Sequence, residues 1–194
     1  MKSILNLFIV LILAFSVNAL AQQDKKQDKK HEKPDVKKVR VSPKAGVFET
    51  IGLTDVDVSY SRPGVKNRKI WGELVPYNKV WRAGADEATK ITLSTDVMID
   101  GKKLSAGAYG FFAIPGENEW TLIFNKVADQ WGAFTYNESE DALRIKVKPV
   151  ANSNHEWLLY SFTEITPTNA QLNLIWEKLK VSFKIEGKGD APVK

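Results

Sequence analysis

Arginine, tryptophan and tyrosine crowd one stretch of this chain, residues 60–89, which reads YSRPGVKNRKIWGELVPYNKVWRAGADEAT. Arg62, Arg68 and Arg82 supply planar guanidinium forks that match a carboxylate, phosphate or sulfate bidentately. Trp71, Tyr77 and Trp81 supply flat faces that hold a sugar ring or a cation. Asp86 and Glu87 follow as adjacent carboxylates. Together these residues form the candidate ligand-binding set, and the partner they suit is a small polar or anionic ligand or a glycan. A structural account fits the same residues: the arginines pair with Glu73, Asp86 and Glu87 to pin the segment, and Trp71 and Trp81 plug one end of the fold.

Catalysis asks for more than this set offers. Glycoside cleavage needs two carboxyls about 5 to 9 Å apart across the scissile bond, whereas neighbours such as Asp86 and Glu87 can point to opposite sides. His155 follows Asn152-Ser153-Asn154, which reads as a turn, and no motif gives it a nucleophile or an orienting acid. A hydrolase of unfamiliar type using Asp86, Glu87 or His155 stays as the alternative to a binding module, and a structural envelope-assembly partner as a third reading. No catalytic residue is assigned. The chain carries no Gly-x-Ser-x-Gly elbow, phosphate loop or dinucleotide fingerprint. With His31 in a polar segment, His155 is the one histidine of the folded part, and no cysteine is present, so histidine clusters, thiolates and disulfides are excluded. Neither a metal nor a cofactor is expected.

The elements that position the stretch are strands. Pro63, Gly64, Gly72, Pro76 and Gly84 break the stretch itself, so no long periodic element runs through it. On either side the apolar residues alternate with a period near two. Segments 48–51, 56–60, 90–94, 97–99, 107–114, 120–125, 144–148 and 157–163 all read as strands, and Asp100-Gly101 marks a tight hairpin. Segments 171–176 and 181–185 read as two arms of a further antiparallel pair joined across Glu177-Lys178. Trp120, Trp131 and Trp157 flank or sit in these segments, where core packing is the commoner role. The expected fold is all-β: an antiparallel sandwich, jelly-roll or immunoglobulin-like, of nine or ten short strands with at most short helical turns near 69–74 or 138–142. A small barrel is the alternative.

Lys2, the apolar run 4–15 and Ala19-Leu20-Ala21 make residues 1–21 a signal peptide cleaved near Ala21. The run is shorter than the roughly 20 residues a membrane span requires, so no span is expected once the leader is removed. Residues 22–40 form a basic, disordered linker, 41–187 a single β-rich domain, and 188–194 a disordered tail. The formal net charge is +5, of which Lys2 carries one and residues 22–40 four, leaving the remainder balanced. A nucleic-acid partner therefore loses its main support. The expected location is the periplasm or beyond.

A set of phrases runs along the folded part: Tyr60-Ser61-Arg62-Pro63, Val75-Pro76-Tyr77, Val80-Trp81-Arg82-Ala83-Gly84-Ala85, Glu87-Ala88-Thr89, Ile114-Pro115-Gly116, Trp120-Thr121 and Gln130-Trp131-Gly132, with the segments 107–109 and 172–176. Together they resemble a bacterial family of exported proteins catalogued as domain of unknown function 2911. Asp86 departs from the family phrase Gly-Ala-Asn, and a carboxylate there accepts hydrogen bonds where an amide also donates them. The resemblance implies export and one β-rich domain; it implies no activity.

Overall fold

A computed structural model describes residues 38–189. The expected leader 1–21, residues 22–37 of the basic segment and 190–194 of the expected tail lie outside the described residues. Of the described residues, 39–189 fall in one compact unit.

Alternating sequence becomes alternating burial. In β2 (Thr54–Ser61) Val56, Val58 and Tyr60 turn inward while Asp57 faces solvent. The other strands in chain order are β1 (Lys44–Ile51), β3 (Thr89–Leu93), β4 (Val97–Ile99), β5 (Lys102–Leu104), β6 (Gly107–Ile114), β7 (Trp120–Asn125), β8 (Asp141–Val147), β9 (Val150–Thr163) and β10 (Asn169–Glu186). They form a six-stranded sheet, β1-β2-β3-β6-β7-β8, and a four-stranded sheet, β5-β4-β10-β9, with every named pairing antiparallel. Among the described residues neither sheet closes on itself or joins the other, so the architecture is a sandwich and not a barrel. The one helical piece among the described residues is a short 3-10 turn at Glu138–Glu140. No helix there is long and apolar enough to cross a membrane.

The core between the sheets is aromatic. Phe111, Phe124 and Phe183 meet with centroids 5.2 to 5.7 Å apart, and Tyr160 crosses Tyr60 edge-on at 4.7 Å. Strands β6 and β7 are buried almost throughout. Their outer face is covered as well, with Val80, Ala133 and Tyr136 packing on Ala88, Phe112 and Ile123. The Asp100-Gly101 hairpin forms as expected: both residues take positive φ, 46° and 76°, as that two-residue turn demands.

Two expectations at the C-terminal end need correction. Segments 171–176 and 181–185 are not two arms of a hairpin but parts of the single strand β10. Buried Leu172, Leu174 and Trp176 occupy even positions, whereas Val181, Phe183 and Ile185 occupy odd ones. Glu177, at φ 54°, lies between shifts of register against β9 and carries that change of parity. A bulge and a turn leave the same trace in the pattern; here it is the bulge. The strands are accordingly longer than foreseen, 14 residues for β9 and 18 for β10. His155 thus lies within β9, opposite Glu177, rather than in a turn.

Lys188, grouped with the tail on composition, is bonded to the β1–β2 turn. The amide of Leu53 donates to its carbonyl at 2.8 Å, and its own amide donates to Thr54 Oγ1 at 3.3 Å.

Candidate functional site

Strands β2 and β3 are hydrogen-bonded neighbours, yet residues 62–88 leave the sheet between them. This crossover is woven into the sandwich. The amide of Val65 donates to Glu156 O at 2.7 Å and that of Leu158 to Pro63 O at 3.0 Å, tying its start to β9. Trp81 exchanges two backbone bonds with Ala113 of β6, at 2.7 and 2.8 Å. Its return pairs with the β7–β8 loop, where Gly132 N donates to Asp86 O at 3.0 Å.

The tryptophans of the crossover are core residues in part. Trp71 is buried and meets Trp81, Trp120 and Trp176 edge to face, with centroids 4.8 to 5.8 Å apart. Trp81 stacks on Trp176 at 5.9 Å and donates its indole N–H to Gly84 O at 3.1 Å. These four rings close one side of the sandwich. Edge-to-face packing also sets the positive ring edges against π faces, a setting in which the buried indole N–H groups of Trp71 and Trp120 go without an oxygen partner.

The arginines divide by partner. Arg62 donates from Nε to Leu158 O at 2.9 Å, and Arg68 from Nη2 to Gly64 O at 2.6 Å, so both brace backbone. The acidic pair is held by a residue that composition had assigned to the linker. Arg40 donates from Nη1 to Glu87 Oε1 and from Nη2 to Asp86 Oδ2, each at 2.9 Å, and Nη2 also meets Glu87 Oε2 and Ser61. Lys44 adds a contact to Glu87 at 3.2 Å. Glu73 pairs with Lys69 at 3.0 Å and with no arginine. The expected ion pairs of Arg62, Arg68 and Arg82 with these three carboxylates therefore do not form among the described residues.

Arg82 is the exception. Its guanidinium forms no hydrogen bond to another described residue, and its Nε is sealed from solvent without a partner. Burial pulls its pKa below the ordinary arginine value, while nearby Asp86 acts in the opposite sense. Two residues just after it take left-handed backbone: Ala83 and Asp86 have φ of 50° and 56°. The Ala83 carbonyl is fixed by Tyr160 Oη at 2.8 Å and Thr89 Oγ1 at 3.0 Å. Such a brace aims Arg82 from a rigid turn. Position 86 needs a residue that tolerates this left-handed conformation, as aspartate does.

A cleft of about 250 Å³ opens here, with Trp81 and Trp176 as its indole wall and Lys66, Arg68 and Arg82 facing one carboxylate, Asp86. Of the residues nominated from sequence, Arg68, Trp81, Arg82 and Asp86 line it. Arg62, Trp71 and Tyr77 do not, being engaged in backbone bracing or core packing, and Glu87 lines a separate cleft on the other side of the Arg40 cluster. His155 lines neither cleft. Sequence reasoning missed Arg40, whose signal is hidden in a run of lysines, and Trp176, which reads as one more inward strand residue.

The Arg40 cluster makes a pH-dependent clasp. Arg40 holds the Glu87 carboxyl well below the usual carboxylate range, against a smaller opposing effect of burial. A depressed carboxylate stabilises the fold fully above its unfolded value of about 4.3 and loses that contribution as pH falls through its lower folded value. Below about pH 4.5, therefore, wild-type Tm falls more steeply than that of Glu87→Gln, which starts lower at neutral pH. Glu87 is about a third exposed, so the difference amounts to a few degrees and shrinks in added salt. Melting curves across this pH range check it.

No curated protein and no solved structure matches the chain. The family described as protein of unknown function (DUF2911) matches residues 42–185, which takes in both sheets and the entire crossover. The chain belongs to that family.

Proposed function

We propose that this is an exported, non-enzymatic binding module whose ligand presents a carboxylate, phosphate or sulfate to Arg82. The observation that carries the reading is the half-buried Arg82 guanidinium, unpaired among the described residues, on the wall of a cationic, indole-lined cleft. A buried charge without a partner costs stability, and a bidentate anion offsets that cost. Asp86 and Glu87 are both clasped by Arg40, which leaves the hydrolase alternative without a free carboxylate. A purely structural part would leave every arginine paired internally, which suits Arg62 and Arg68 but not Arg82. Export rests on the leader at 1–21, and N-terminal sequencing of mature protein starting at Gln22 tests it.

Calorimetry and thermal shift with phosphate, sulfate, amino acids and dicarboxylates test the site. Wild type is expected to bind at least one of these, and Arg82→Ala to lose roughly ten- to a hundredfold in affinity, the worth of a charge-assisted bond. The unliganded Arg82→Ala protein keeps or slightly gains Tm, because no internal partner is stranded. Absence of binding by wild type across the panel, or a large loss of Tm in the unliganded variant, overturns the reading.

A further inference from the structure

On the outer side of the six-stranded sheet, the β7–β8 loop presents two large aromatic side chains to solvent. Trp131 is 61% exposed and Phe134 83%. This corrects the expectation that Trp131 packs in the core; Trp157, 38% exposed beneath Lys66, departs from it as well. The loop beneath Trp131 is nonetheless fixed. Glu87 and Trp131 form a bridge, and Ala88 N donates to Gln130 O at 3.0 Å. The Gln130 side chain is spent inside the loop, donating to Val127 O at 2.7 Å and accepting from Thr135 Oγ1 at 3.2 Å. Tyr136 donates to Asp141 at 2.7 Å, and burial helps push its phenol up to about 12. An indole left in water on so constrained a backbone is preorganised for a partner.

Beside that indole lies a second cleft of about 330 Å³. Its rim carries Lys44 paired with Glu87 at 3.2 Å and Lys90 paired with Asp129 at 2.9 Å. Cations and carboxylates balance, so unlike the Arg82 cleft this one has no excess charge to select an ion. It offers a flat aromatic face together with alternating N–H donors and carboxylate acceptors. A pyranose presents the complement, an apolar C–H face and a ring of hydroxyls that both donate and accept. The volume is at the small end of ligand sites, about 300 to 1,000 Å³, which suits a short run of sugar units. We infer a second binding site, centred on Trp131, for an uncharged glycan. No residue lines both clefts, so this inference does not rest on the Arg82 reading.

Maltohexaose, cellohexaose, xylohexaose and chitohexaose are the probes, titrated by calorimetry and by tryptophan fluorescence with acrylamide quenching. Wild type is expected to bind at least one and to gain protection of its exposed indole. Trp131→Ala is expected to weaken binding by roughly tenfold or more. Arg82→Ala and Phe134→Ala bind as wild type does. The quenching readout on wild type keeps the test decisive even where a variant folds poorly. No binding by any probe overturns the inference. So does undiminished binding by Trp131→Ala, or binding that Arg82→Ala abolishes.

Discussion

Trp71→Ala is expected to destabilise the protein by about 3–5 kcal/mol, as removal of a large buried aromatic side chain does. Its Tm should fall on the order of 10 °C. Trp71 sits in the crossover, outside every strand, yet it touches the indoles of Trp81, Trp120 and Trp176. Trp120 belongs to β7 in the larger sheet and Trp176 to β10 in the smaller one. The side chain therefore helps to join both layers, and its loss leaves a void that neither can fill without moving the other. Guanidinium titration of Trp71→Ala beside Trp131→Ala checks this. The first is expected to show a much lower midpoint, the second one close to wild type. A Trp71→Ala midpoint equal to wild type would mean that the crossover is an appendage and not part of the core.

Gly187→Ala ranks second. A Cβ there would overlap Ile51 O and stand 2.8 Å from Ile51 C, both backbone atoms that cannot rotate away. Residues 187–188 run across the β1–β2 turn, where Gly52 N donates to Pro167 O at 2.7 Å and Gly187 N to Thr168 O at 2.9 Å. Admitting a methyl group means prising these three turns apart, at a cost of about 3 kcal/mol. Gly189→Ala is the control, since its Cβ would meet only Thr168 Cγ2 at 3.6 Å. Urea midpoints of the two variants separate a local clash from a general intolerance of alanine near this end. Equal midpoints would mean that the tail gives way freely.

Much of the fold was legible in the residues themselves. Wherever one face of a strand is wet, as in β2, alternation alone located it, and Asp100-Gly101 fixed the β4–β5 hairpin. Legibility failed where a single residue decides between two backbone paths. Glu177 interrupts the inward pattern whether it heads a turn or a bulge, and only the pairing of β9 along β10 tells them apart. The site was half visible. Its arginines and tryptophans were conspicuous, but their partners come from distant positions: Arg40 for the carboxylates and Trp176 for Trp81. Nothing local distinguishes Arg40 from the lysines before it, nor exposed Trp131 from buried Trp120. Long-range geometry settles both.

Strand β10 bonds to β9 through its first part and to β4 near its end, so the smaller sheet has no centre without it. It is also the last of the described strands to be synthesised. Until it leaves the ribosome, β4 and β5 can only form an isolated hairpin and the aromatic interior stays open on one side. Closure thus waits for β10, and a nascent chain keeps its aromatic interior open to solvent and chaperones until Glu186 has emerged.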